Sequence, residues 1–286
     1  MQALFDDIGF TIVLTGMLAA GSTALLGSFL VVRGQALLTD AISHGIVLGI
    51  AVTFLLTGFT TGPVQLLGAG AAGVATVLVT EALSASGRVR RDAATGLVFP
   101  AMFALGVLLL SLFARDVHVD PHTVLLGEIG YVWLDTVPLL GVAVPRSLLV
   151  LGAMFLLNLL FVAAFYERLA AAAFDPVQAG LRGLHPKAVS AGLLALTSMT
   201  AVAALDAVGV VLFVTFAIVP AVVGLLLARR LSGVVLVALG TAGFAAVAGY
   251  WAAVALDLSI GGCMAAMTGI PLLLALTPLK RAWQMS

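Results

Sequence analysis

Apolar runs long enough to cross a bilayer fill almost the whole chain, at residues 8–32, 36–57, 63–85, 93–114, 147–166, 187–205, 207–228, 233–256 and 263–279. A spanning helix needs about 20 apolar residues, and in lipid only helices or closed barrels satisfy their own backbone groups. The runs lack the period-two alternation of barrel strands. The expected fold class is therefore all-α: a polytopic membrane helix bundle of about nine spans, with eight the alternative count. It forms a single transmembrane domain over residues 1–286. Composition agrees, since 9% of the residues are charged against about 25% in a soluble domain.

Basic residues orient the bundle, because Lys and Arg concentrate on the cytoplasmic side of short loops. With the N-terminus outside, nine spans and the C-terminus in the cytoplasm, only Arg115 and Arg146 of the 13 Lys and Arg fall outside. Making 123–146 a further span would move Arg168, Arg182, Lys187, Arg229, Arg230, Lys280 and Arg281 to the outer face. That stretch holds Glu128, Asp135, Pro138 and Pro145, and reads as a broken element at one membrane face.

Several functions are excluded early. A net charge of zero gives no electrostatic case for nucleic acid. No nucleotide-binding loop is present, so any ATPase is a separate chain. The lone Cys263 rules out an internal disulfide and a multi-thiolate metal site. No H-E-x-x-H motif supports an intramembrane metalloprotease. The N-terminus carries no basic residue and no small-residue cleavage site follows the first run, so the first span is expected to stay.

The candidate site is Asp40 with His44, inside the second apolar run. Residues four apart share a helix face. Both lie about 6–12 Å along the helix from residue 36. Ionisable groups at membrane depth are costly and mark transport pathways. Carboxylate oxygen and imidazole nitrogen together suit manganese, zinc or iron. Two readings stand: a metal contact, or a buried Asp–His bond joining two helices. Used as a proton relay, the pair would instead serve a proton-coupled secondary transporter.

Other features are weaker. Asp116, His118, Asp120, His122 and Glu128 gather on the outer face, where they read either as an acidic mouth or as a solvated loop. Asp206 reads as a cap for the following span, and Pro220 as a kink or interruption in it. Asn158 reads as an interhelical hydrogen-bonder, and the Gly45/Gly49 and Gly58/Gly62 pairs as close-packing positions. Within 167–185, Asp175-Pro176 starts a short helix outside the membrane and Gly183 can end it.

Together these motifs resemble the permease subunit of a bacterial manganese/zinc/iron ATP-binding-cassette importer. The resemblance rests on Gly27-Ser28-Phe29, Arg33, Ala36-Leu37, Asp40-Ala41-Ile42-Ser43-His44 and Gly49. It continues through Leu125-Leu126-Gly127-Glu128-Ile129, and through Tyr166, Leu169, Phe174-Asp175-Pro176, Ala179 and Gly183. It ends at Val208-Gly209, Leu212 and Ile218-Val219-Pro220-Ala221. The form Glu128-Ile129-Gly130-Tyr131-Val132 is more similar to the manganese branch than to the zinc branch. Ala170–Ala173 departs from the family, which usually has a charged or polar residue before Phe-Asp-Pro.

The resemblance implies a multi-pass protein of the bacterial plasma membrane with no permanently bound cofactor. Mn2+ (or Zn2+ or Fe2+) is the transported ion, and Asp40 and His44 are its ligands. The implied partners are a cytoplasmic ATPase dimer, an extracytoplasmic metal-binding lipoprotein and a second permease copy, identical or paralogous. Phe174, Asp175, Pro176, Ala179 and Gly183 form the implied ATPase contact. A permease of the same class for siderophore or cobalamin is the alternative cargo reading.

Overall fold

The computed structural model describes residues 8–58, 63–113, 129–139 and 142–277. Four helices come first: α1 (Ile8–Val32), α2 (Leu37–Thr57), α3 (Pro63–Ala85) and α4 (Arg91–Phe113). A 3₁₀ turn (Ile129–Tyr131) and a hairpin of β1 (Thr136–Leu139) with β2 (Val142–Pro145) precede α5 (Arg146–Phe174). The short α6 (Pro176–Leu181), the long α7 (Pro186–Leu227), α8 (Leu231–Leu256) and α9 (Ile260–Leu276) complete the described chain.

Apolar residues surround α1 on all sides, as expected of a helix buried in a bundle. Phe29, Leu25, Leu26 and Leu30 are fully enclosed, and α1 packs on α5, α7 and α8. By contrast, among the described residues α4 makes substantial contact with α2 and α3 alone. Its Leu97, Leu105, Leu108 and Phe113 are exposed to the surroundings.

Among the described residues seven helices are long and apolar enough to cross a membrane, and α9 is a shorter apolar helix. One of the seven counts twice. The 42 residues of α7 would measure about 63 Å at 1.5 Å each, twice the ~30 Å hydrocarbon core. Gly209, at φ +78° and ψ 171°, breaks it. Beyond the break the chain returns: Leu212 sits beside Gly261 at the start of α9, and Ala217 lies directly against Gly27 near the far end of α1. The two arms are the spans expected at 187–205 and 207–228, joined by a single glycine with no loop. About nine spans therefore form the bundle.

The interruption falls at Gly209 and not at Pro220, whose dihedrals stay helical. A proline ring removes one hydrogen bond, and the buried packing of Pro220 within the second arm keeps the helix continuous. Asp206 correspondingly is no cap. It lies inside α7, three residues before the break, with Arg146 and Asp135 at the hairpin base as its charged neighbours.

Residues 129–139 and 142–145 form the turn and the paired strands where a broken element was expected. Asp135 and Arg146 close the hairpin, by a backbone bond of 2.9 Å and a side-chain pair at 3.9 Å. Arg88, Arg90, Arg182, Arg229 and Arg230 are exposed at the opposite, basic end.

α5 extends beyond its expected span of 147–166, because Ala170–Ala173 are strong helix formers and nothing stops the helix before Asp175-Pro176. It bends at Phe165 (φ −114°, ψ 16°), where the Arg168 guanidinium lies 5.6 Å from the ring centroid. Asn158 Nδ2 donates to Thr200 Oγ1 at 2.9 Å, tying α5 to α7. Gly45 and Gly49 pack closely on Thr76 and on Gly68 and Ala69 of α3. Gly58 does not pack: it is the left-handed cap that ends α2 (φ 72°).

Candidate functional site

α1 ends in a turn at Gly34, and α2 starts at Leu37 near the basic end. Asp40 stands in the first turn of α2, where the partial positive charge of a helix start favours a carboxylate. His44 follows one turn later. Asp40 Oδ1 and His44 Nε2 lie 3.5 Å apart, with the side chains 34% and 26% exposed.

That separation is long for a strong hydrogen bond. Two ligands each about 2.1 Å from one ion at a tetrahedral angle stand about 3.4 Å apart, so the pair fits a shared cation with little movement. Both residues belong to α2, and among the described residues neither reaches a second helix by a polar contact. Among the described residues the pair therefore does not join two helices.

The imidazole is flanked by α4. Phe99 stacks on it with ring centroids 5.5 Å apart and planes 28° from parallel. Phe103 lies nearly perpendicular to it, with centroids 5.5 Å apart and planes at 83°. Among the described residues no group of three or more His, Cys, Asp and Glu side chains could hold a metal. One chain thus offers two side-chain ligands from its described part. His118, His122 and Glu128, grouped at the outer face by sequence, lie outside the described residues.

At the basic end, Asp175 caps α6: its Oδ1 accepts from Gln178 N at 2.9 Å, and Pro176 occupies the first turn. Gly183 at φ +71° closes the helix, with Gly183 N donating to Gly180 O at 3.1 Å and Leu184 N to Ala179 O at 3.0 Å. This is the paired-bond stop for which a glycine is favoured. Phe174 at the end of α5 and Val177 and Leu181 on α6 are 70%, 71% and 85% exposed. Phe174 and Gln178 also line a shallow groove with Ala170, Ala171 and Arg182.

The family described as "ABC 3 transport family" matches residues 6–278. This chain belongs to that family. The ABC-3 chain is 42% identical over 259 residues to the zinc transport system membrane protein TroD of Treponema pallidum, covering 91% of this chain and 71% of that protein. It is 40% identical over 260 residues to the manganese transport system membrane protein MntD of Bacillus subtilis, covering 91% and 88%. Its fold is similar to that of PsaBC from Streptococcus pneumoniae, solved in complex with a Fab, with a TM-score of 0.79, 22% identity and coverage of 100% and 99%. The ABC-3 chain is a multi-pass permease subunit of the plasma membrane and not an enzyme, and ATP hydrolysis lies on a separate chain.

Within this ABC-3 permease, the residues read from the sequence fall into two places. Asp40 and His44 are together on α2, and Phe174 to Gly183 are together at the basic end. Ala179, expected as a surface contact, is buried and anchors α6 from beneath. Sequence reading missed Phe99 and Phe103, whose spacing of four in the 93–114 run was the available signal. It also missed Val177 and Leu181, which are exposed on α6 close to the exposed Phe174 at the end of α5.

Proposed function

We propose that this chain moves divalent transition-metal ions into the cytoplasm as the permease half of an ATP-driven importer, with manganese the favoured ion and zinc or iron the alternatives. The observation that carries this is the Asp40–His44 pair, partly open and spaced to share a cation. Asp40 supplies charge and an oxygen, and His44 supplies the nitrogen that favours transition metals over calcium and magnesium. A second permease copy, identical or paralogous, supplies the remaining ligands across a central pathway.

Family membership and the absence of a nucleotide loop favour an ATPase dimer on other chains over a stand-alone proton-coupled carrier. The ATPases grip Phe174, Val177 and Leu181, and α6 passes their closure into the spans by alternating access. A metal-binding lipoprotein delivers the ion at the hairpin end. The arginines at the opposite end support that sidedness, with the N-terminus outside. Manganese is favoured by Glu128-Ile129-Gly130-Tyr131-Val132 and by the similarity to MntD.

The test is uptake by vesicles holding the whole complex, compared across Mn2+, Zn2+ and Fe2+. Asp40→Ala and His44→Ala each abolish ATP-driven uptake while the complex still assembles. Unchanged uptake in both variants overturns the assignment.

A further inference from the structure

We infer that Phe99 and Phe103 are positioning residues for the ion site: they hold the His44 ring in the orientation that presents its nitrogen beside Asp40, and so set the preference for transition metals. The inference rests on the reading of Asp40 and His44 as ion ligands and extends it to α4.

A histidine that binds metal usually has its ring fixed by a carboxylate, carbonyl or water on the other nitrogen. His44 has no such partner among the described residues: its one polar neighbour is Asp40 itself. What restrains the ring is aromatic. One face lies near Phe99 with planes 28° from parallel, and the Phe103 ring stands nearly perpendicular to it at 83°. Both centroid distances of 5.5 Å fall within the 4.5–7 Å range of attractive aromatic pairs. A ring near parallel and a ring near perpendicular together leave the imidazole less room to turn than either does alone.

Both rings come from one helix, at positions four apart, so they face α2 as a unit. Pro100 lies between them in sequence and removes one hydrogen bond from the helix that carries them. About one turn further along, Gly106 holds α4 against the α2 backbone. The orientation of His44 is thus set by where α4 stands against α2, and a displacement of α4 frees the ring.

The consequence for selectivity follows from ligand chemistry. Carboxylate oxygen alone suits calcium, magnesium and manganese, whereas imidazole adds preference for transition metals. A loose imidazole leaves Asp40 as the dominant ligand, and calcium becomes an effective competitor.

The test uses the complete complex in vesicles and in detergent, with Mn2+ as probe and Ca2+ as competitor. The double variant Phe99→Leu/Phe103→Leu keeps apolar bulk and removes the rings. It is expected to raise the half-saturating Mn2+ concentration about tenfold, in equilibrium binding as well as uptake, with a smaller change in maximal rate. Excess Ca2+ should inhibit it and leave the unaltered protein unaffected. Phe99→Tyr and Phe103→Tyr, which keep the rings, should restore both properties. If Asp40→Ala and His44→Ala abolish uptake while the leucine variant binds Mn2+ and rejects Ca2+ normally, the positioning role is wrong and the ion site stands. If the two alanine variants transport normally, the ion site itself is wrong.

Discussion

Gly106 of α4 lies against the backbone of Leu48 in α2, so closely that a Cβ added to it would stand 2.8 Å from Leu48 N. No side chain fits there without moving one of the two helices. Gly106→Val is therefore expected to push α4 outward, at about 1–3 kcal/mol for overpacking. Its effect should extend to His44, since the flanking rings move with α4. A lowered melting temperature together with weakened Mn2+ binding is the expected pair of results. Weakened stability with unchanged binding would separate the helix contact from the ion site.

Gly209 occupies a backbone region that is essentially restricted to glycine. Gly209→Ala is expected to cost about 1–3 kcal/mol. Forcing the position towards helical dihedrals would straighten α7 past the turn, so expression in the membrane should fall. Thermal unfolding in detergent reads the cost. A variant as stable as the original protein would show that the turn is not strained.

Asn158 and Thr200 form a buried pair at 2.9 Å, and the Asn158 Oδ1 atom has no hydrogen-bond partner among the described residues. Thr200→Val leaves the whole amide unsatisfied and should cost about 1–3 kcal/mol. Asn158→Leu removes the demanding group and should cost less. The order of the two melting temperatures decides this, and the reverse order would refute it.

Two variants near α6 separate folding of that helix from its use. Asp175→Ala removes the cap to Gln178 N and should destabilise the helix by about 0.5–2 kcal/mol, seen as faster proteolysis around 176–181. Leu181→Asp changes a residue that is 85% exposed and leaves folding intact. It should weaken retention of the ATPase on purification and uncouple hydrolysis from uptake. Normal retention would place the ATPase contact elsewhere.

The spans and the Asp40–His44 pair were legible because each depends on one local rule: apolar length in the first case, and the face shared by residues four apart in the second. The α6 stop signals were legible for the same reason, since Asp175, Pro176 and Gly183 act on backbone within a few residues. The neighbours of His44 were not. Nothing in the 93–114 run says which helix it packs against, and apolar residues surround α4 on every side, so no polar stripe orients it. Gly209 was also obscured: proline is the familiar helix breaker, yet buried Pro220 is accommodated and a glycine makes the turn. Asp206 was misread with it, because a cap requires a helix start and the helix there is already under way.

The turn at Gly209 leaves no slack between the two arms of α7. Ser198 on the first arm is bonded to Gly70 of α3, and Thr200 beside it to Asn158 of α5. Ala217 and Gly224 on the second arm press on Gly27 of α1 and on Val234 of α8. A loop would absorb a pull on either side, but a one-residue joint passes it on. A displacement of either arm therefore bears on α1, the most deeply enclosed helix of the bundle, which α5 also contacts directly.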